Sequence, residues 1–87
     1  MKSVATRRFW EYYRSLPAEI QQLAVKSYRL WQRDPHHPSL RFRRLHGTAD
    51  RFTVRIGEHH RALAKTRGDV VIWIWIGTHA EYDRLVG

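Results

Sequence analysis

Val70–Leu85 reads VVIWIWIGTHAEYDRL, and this stretch decides the fold. Its first seven residues, Val70–Ile76, are all β-branched or aromatic, which favours a buried strand over a helix. Gly77 ends the run, and Thr78-His79-Ala80-Glu81 follows in the form of a capping box. In that motif the Thr78 hydroxyl takes a free helix N–H and the Glu81 carboxylate reaches back to the cap. A strand therefore passes through a tight turn into a short helix, with His79 in its first turn and Tyr82 about one turn further on. Strict alternation places Val70, Ile72, Ile74 and Ile76 on one face of the strand and Val71, Trp73 and Trp75 on the other. With both faces apolar, the strand is central and covered on both sides, or it shows two tryptophans to a partner.

The period of two extends upstream. Arg67-Gly68-Asp69 forms a hairpin turn back to a strand over His60–Lys65, and Gly57-Glu58 forms another turn. Before it, Phe52, Val54 and Ile56 alternate with Arg51, Thr53 and Arg55, the pattern of a strand with one buried face. Leu40–Leu45 alternates weakly and predicts a further strand. Asp34-Pro35-His36-His37-Pro38-Ser39 is a stiff linker, and upstream of it the period becomes helical. Ile20, Leu23/Ala24, Tyr28 and Trp31 mark a helix ending near Asp34, with Pro17 suited to its first position. Thr6 caps an earlier helix carrying Phe9, Tyr12/Tyr13 and Leu16, and Lys2–Ala5 predicts a short edge strand. The expected fold is a single α+β domain over residues 1–87. It is a small antiparallel sheet of about four strands, with two N-terminal helices packed on one face and a short C-terminal helix.

A chain of 87 residues encloses little, so any chemistry belongs in a shallow groove. It has no cysteine, and its longest apolar run is far short of the roughly 20 residues that cross a bilayer. The expected setting is the cytoplasm, away from membranes. Thirteen Arg and three Lys face eight Asp+Glu, a net charge of +8. The segment Arg41–Arg67 alone holds eight cations against Asp50 and Glu58, or +6. Such a preference for Arg suits planar contact with phosphate or carboxylate, and the surface fits a nucleic-acid backbone or an acidic protein.

The six histidines lack the spacing with which one helix face holds a metal ion, and the carboxylates are scattered. No serine sits on a glycine-flanked strand-to-helix turn, and no glycine-rich phosphate loop is present. Neither metal nor cofactor is expected. What remains is a basic site able to stabilise charge on phosphorus, with Arg55 and Arg61 on neighbouring strands and Arg43 or Arg44 beside them. In RNA the substrate's own 2′-hydroxyl serves as nucleophile. His79 is then the candidate base, and Tyr82 the candidate proton donor or stacking group. The plain alternatives are a capping-turn histidine and a tyrosine that anchors the last helix to the sheet.

Three segments, LPAEIQQLAVKSYRLWQRDPHHPSLRFRRLHG, FTVRIGEHHRALA and WIWIGTHAEYDRL, together span most of the chain. They resemble, in order, the RelE/ParE toxin superfamily of bacterial type II toxin–antitoxin systems. The resemblance implies a small sheet with two N-terminal helices packed against it. It also implies one of two activities: metal-independent cleavage of mRNA on the ribosome, as in RelE-like members, or inhibition of DNA gyrase, as in ParE-like members. The family's basic strand positions fall on Thr53 and Arg55, its YR arginine on Arg61, and its residue after the strand-terminal glycine on His79. Thr53 stands where lysine is frequent and His60 where tyrosine is frequent, and Tyr82 comes earlier after the glycine than the C-terminal tyrosine of RelE. The expectation is a ribosome-dependent endoribonuclease that arrests translation and growth, with Arg55, Arg61, His79 and Tyr82 at the reaction. Arg41, Arg43, Arg44 and Lys65 would bind RNA phosphates. Its partners would be an acidic antitoxin, the ribosome and mRNA, with operator DNA reached only through the antitoxin. The alternatives are a gyrase inhibitor and a non-toxic relative that binds only an antitoxin.

Overall fold

The computed structural model describes residues 2–87 as a five-stranded sheet with helices on both faces. In chain order the elements are β1 (Lys2–Ala5), α1 (Arg7–Arg14), α2 (Ala18–Arg33), a 3-10 turn (Pro38–Leu40), β2 (Arg43–Arg44), β3 (Arg51–Ile56), β4 (His60–Arg67), β5 (Val70–Thr78) and α3 (His79–Val86). The sheet order is β1-β5-β4-β3-β2. The β2–β5 meander is antiparallel, as its alternation and turns predict. The edge strand expected at Lys2–Ala5 is present and makes a fifth strand. It runs parallel to β5, pairing Lys2 with Val70 and Ala5 with Trp73, so the sheet is mixed rather than wholly antiparallel. The connection from β1 to β5 runs through both helices and the β2–β4 meander, so the long crossover that parallel strands require is present.

Both N-terminal helices start and stop where local chemistry dictates. Thr6 caps α1 by accepting from the Phe9 N–H at 3.1 Å. Pro17 is the cap residue of α2 rather than its first helical position; its carbonyl accepts from Ile20 and Gln21, each at 3.0 Å. The Gln21 side chain donates to the carbonyls of Tyr13 and Leu16, each at 3.1 Å, which ties the two helices at their joint. Their apolar sides lie on Val54, Ile56, Ala62, Ala64, Val71, Trp73 and Ile76 of the sheet. Trp31 meets Trp73 edge-to-face at 5.2 Å and Phe42 at 5.8 Å, pairs that each add about 0.5–1.5 kcal/mol to simple burial.

Two further sequence expectations change. The strand expected across Leu40–Leu45 shrinks to Arg43–Arg44. Leu40 is buried at the end of the 3-10 turn, and Arg41 takes the left-handed conformation (φ 47°), which redirects the chain and delays sheet pairing by two residues. In β5 the two tryptophans do not share a face. Leu63 pairs with Trp75 and Ala64 with Trp73, so Ile74 is an extra residue in a β-bulge. The bulge resets the alternation. Val71, Trp73 and Ile76 join the helix-covered core, whereas Trp75 packs with Leu63 and Tyr82 on the opposite face, with Ile74 against them. β5 is thus internal and covered on both sides, the first of the two arrangements its composition allows.

Candidate functional site

The face of the sheet away from α1 and α2 is basic. Val54 and Ile56 point to the helices, so Arg51, Thr53 and Arg55 point the other way, and the register places Lys65, Leu63 and Arg61 directly opposite them. Arg43 pairs with Thr53 and lies on the same face. Arg44 is on the other face, its guanidinium 5.9 Å from the centre of the Phe52 ring, and Arg41 lies outside the strands at the left-handed turn. The structure therefore gathers Arg43, Arg55, Arg61 and Lys65, adds Arg51, and leaves Arg44 and Arg41 apart. The floor between these cations is apolar: Leu63, Trp75 and Tyr82 are buried there, and Thr53 is 2 % exposed.

Helix α3 forms one wall. Thr78 caps it by accepting from the Glu81 N–H at 3.1 Å, while Glu81 accepts from the Thr78 N–H and hydroxyl, each at 2.9 Å. Those two bonds from Thr78 hold the Glu81 carboxyl below its ordinary value. The His79 N–H donates to the His59 carbonyl at 2.7 Å, fixing the helix start to the β3–β4 turn. His60, beside that junction, has its ring value lowered by burial and by His59, with Glu81 opposing. Gly77 allows the strand to pass under Trp75: a Cβ there would stand 2.6 Å from Trp75 Cζ2.

At the junction of β4 and α3, Arg61 Nε donates to His79 Nδ1 at 3.0 Å, and the Arg61 guanidinium lies 5.4 Å from the Tyr82 ring centre. His79 and Tyr82 rings are 6.2 Å apart. Arg55, paired across from Arg61, donates its Nε to the Gly57 carbonyl at 2.8 Å, and its terminal nitrogens make no hydrogen bond among the described residues. Arg55, Arg61, His79 and Tyr82 are thus brought together from three elements. Asp83 was not among the residues picked out from the sequence; its carboxylate lies 3.4 Å from His79 Nε2. Four-residue spacing on the expected helix was the signal available for it.

The electrostatics of this face are unusual for a resting protein. Arg55 stands opposite Arg61 and Arg51 opposite Lys65, two like-charge cross-strand pairs of a kind that destabilises a sheet. Among the described residues the ion pairs are His59–Glu58 and His79–Asp83, and neither uses an Arg or Lys. The cations are held together without carboxylates to balance them. Among those residues no group of three or more His, Asp or Glu is placed to hold a metal ion, and no helix is long and apolar enough to cross a membrane. An apolar cavity of about 340 Å³ lies on the opposite side, between α1 and α2 over Trp31, Trp73 and Ile56. It contains none of the basic groups, so the candidate chemistry belongs to the open face.

This fold and this basic face are those of a small toxin of the RelE/ParE type. The sequence profile of the ParE-like toxin domain matches residues 18–84, and the chain belongs to that family. No curated protein matches it by sequence. Among solved structures, a chain of the RelB–RelE antitoxin–toxin complex from Methanococcus jannaschii superposes with a TM-score of 0.77 at 13 % identity, covering 97 % of this chain and 99 % of that one. The YoeB/ParE toxin from Agrobacterium tumefaciens gives 0.69 at 24 % identity, with 91 % and 99 % coverage. The isolated E. coli RelE toxin gives 0.68 at 14 % identity, with 97 % and 94 % coverage. At these identities the likeness is one of fold, and the reading of the site rests on this chain's own residues.

Proposed function

We propose that this toxin is a ribosome-dependent mRNA endoribonuclease whose reaction centre is Arg55, Arg61 and His79. The observation that carries the reading is the pair of like-charge contacts, Arg55–Arg61 and Arg51–Lys65, on one face with no carboxylate between them. A polyanion relieves that repulsion, and guanidinium groups offer paired donors to phosphate oxygens. His79 abuts Arg61, so a bound phosphate brings the neighbouring 2′-hydroxyl to a proton acceptor. In this reaction the 2′-oxygen loses its proton to His79 and attacks phosphorus. The bond to the 5′-oxygen then breaks, that oxygen takes a proton from solvent, and a 2′,3′-cyclic phosphate remains. Arg55 and Arg61 stabilise the charge that builds on the equatorial oxygens. Tyr82 is 8 % exposed and packs on Trp75, so its part is to seat the Arg61 guanidinium rather than to donate a proton. Arg43, Arg51 and Lys65 extend the phosphate track, whereas Arg44, on the other face, and Arg41, at the left-handed turn, stand apart from it.

The relatives crystallised with RelB antitoxins, from M. jannaschii, Pyrococcus horikoshii and E. coli, support an antitoxin partner for this chain as well. An acidic antitoxin segment is the natural cover for the basic face, and a cytoplasmic setting follows from the ribosomal target. A second reading, gyrase inhibition, is favoured by the ParE-like profile and by Thr53 at a position where the nuclease branch often carries lysine. Induction of the chain in bacteria separates the two. The nuclease reading predicts growth arrest with new, codon-phased mRNA ends that Arg61→Ala and His79→Ala both reduce by at least 100-fold. Arrest with altered supercoiling and DNA damage but no new ends would establish the gyrase reading instead. No arrest would indicate a relative that binds only its antitoxin.

A further inference from the structure

His79 has a hydrogen-bond donor at Nδ1 and a carboxylate within ion-pair reach of Nε2. Arg61 Nε lies 3.0 Å from Nδ1, and Asp83 Oδ2 lies 3.4 Å from Nε2. An arginine Nε has a hydrogen to give and no lone pair to offer, so Nδ1 is the acceptor and the ring proton sits on Nε2, toward Asp83. The two side chains are four residues apart in α3, which stacks them along one side of the helix. Tyr82 on α3 lies 6.2 Å from the ring, the His79 backbone N–H is bonded to the His59 carbonyl, and Arg55 pairs across from Arg61. Among the described residues Asp83 is therefore the carboxylate paired to the ring, and Arg61 its cationic contact.

We propose that Asp83 is a positioning residue for His79: it holds the Nε2–H side of the ring so that Nδ1 is the nitrogen that receives the substrate's proton. This rests on the nuclease reading of the same site. In the free protein Arg61 occupies Nδ1, and the site is at rest. An RNA phosphate competes for the Arg61 guanidinium and draws it away, leaving the Nδ1 lone pair open beside the bound nucleotide. Nδ1 then takes the 2′-hydroxyl proton, and the imidazolium formed keeps its Nε2–H beside the Asp83 carboxylate. No proton passes to the carboxylate in this step; its work is orientation and charge stabilisation. His79 afterwards returns its proton to solvent. Substrate binding and general-base activation are thus one event, because the same arginine serves both.

Asp83 is an exposed helix residue, so its variants keep the fold. Cleavage of a defined message on programmed ribosomes is measured for wild type, Asp83→Ala and Asp83→Asn. In parallel, χ1 couplings of His79 are read by NMR on the protein alone, in an Arg61→Ala background that removes the other tether. The expected result is a fall in kcat of about 10- to 100-fold for both variants, with KM within about twofold. In the Arg61→Ala background His79 keeps one rotamer, and adding Asp83→Ala averages it. Asp83→Asn, which retains an acceptor, keeps the single rotamer yet stays slow. Wild-type kcat in Asp83→Ala, or χ1 couplings unchanged by removing Asp83, would overturn the proposal. If the wild-type chain cleaves no message, the nuclease reading fails, while the couplings still decide whether Asp83 holds the ring.

Discussion

Replacing Gly77 with alanine tests how closely the floor of the basic face is packed. The backbone there lies outside the left-handed region, so an alanine brings no conformational penalty of that kind, and the whole cost is steric. Its Cβ would stand 2.6 Å from Trp75 Cζ2, 2.9 Å from Cη2 and 3.1 Å from Glu81 Oε1. Carbon atoms in contact prefer about 3.5–4.0 Å, so the indole must withdraw by roughly 1 Å. Trp75 is 9 % exposed and lies between Tyr12 at 6.3 Å and Tyr82 at 6.2 Å, with little room to move. Overpacking of this kind costs about 1–3 kcal/mol. Displacing Glu81 also weakens the capping box of α3, worth roughly 1 kcal/mol more. The expected loss is about 2–4 kcal/mol, read from urea unfolding followed by far-ultraviolet circular dichroism. Gly68→Ala is the internal comparison. Its φ of +61° carries the left-handed penalty of about 1–2 kcal/mol, but a Cβ there meets nothing within 4 Å. A Gly77→Ala variant no less stable than Gly68→Ala would refute the packing described for Trp75 over the strand.

Thr78→Ala removes both capping-box contacts of the threonine hydroxyl and should cost about 1 kcal/mol in thermal unfolding. The Glu81 carboxyl should move back up toward its ordinary 4.5 when followed by NMR. His60 has its folded value below the ordinary 6.5, so between those two values the unfolded chain holds more protons. Its contribution to stability is complete above about 6.5 and is lost as pH falls through the folded value. The stability difference between wild type and His60→Gln should therefore shift against the wild type on acidification from pH 7.5 to 5.5, and a difference independent of pH would contradict it. Arg43→Ala should weaken binding of a short single-stranded RNA and lower the salt slope by about 1, whereas Arg44→Ala, on the other face, should leave the slope unchanged. Equal effects of the two would reject the assignment of faces.

Most of this fold is legible along the chain because its signals are local. The capping box at Thr78–Glu81, the hairpin at Gly68 and the alternation of Phe52–Ile56 each act within a few residues, and each appears where expected. The bulge at Ile74 is different. No glycine or proline marks it, and a strict period of two puts Trp73 and Trp75 together where the sheet separates them. The extra residue is favoured only once both faces are covered, so that one tryptophan fills the helix side and the other fills the floor beneath α3. The parallel direction of β1 likewise depends on where the helices deliver the chain.

The site divides along the same line. Arg55 facing Arg61 follows from strand alternation and a short turn, both readable beforehand. The choice of Arg43 over Arg44 depends on register with β3, which the weak pattern of Leu40–Leu45 does not specify. The contact of Arg61 with His79 joins residues 18 apart and needs the β4–β5 pairing to form. Asp83 was within reach of helical spacing, but its relevance appears only when His79 is seen with Arg61 already on its other nitrogen.

On the nuclease reading this basic face cleaves RNA. Its most direct test is primer extension on a defined message held on stalled, programmed ribosomes, with purified wild-type chain and the Arg61→Ala variant. The expected result is cuts at a fixed position in the occupied codon, ending in a cyclic phosphate, and a loss of at least 100-fold with Arg61→Ala. Intact message with the wild-type chain, or cuts that persist undiminished without Arg61, would contradict it.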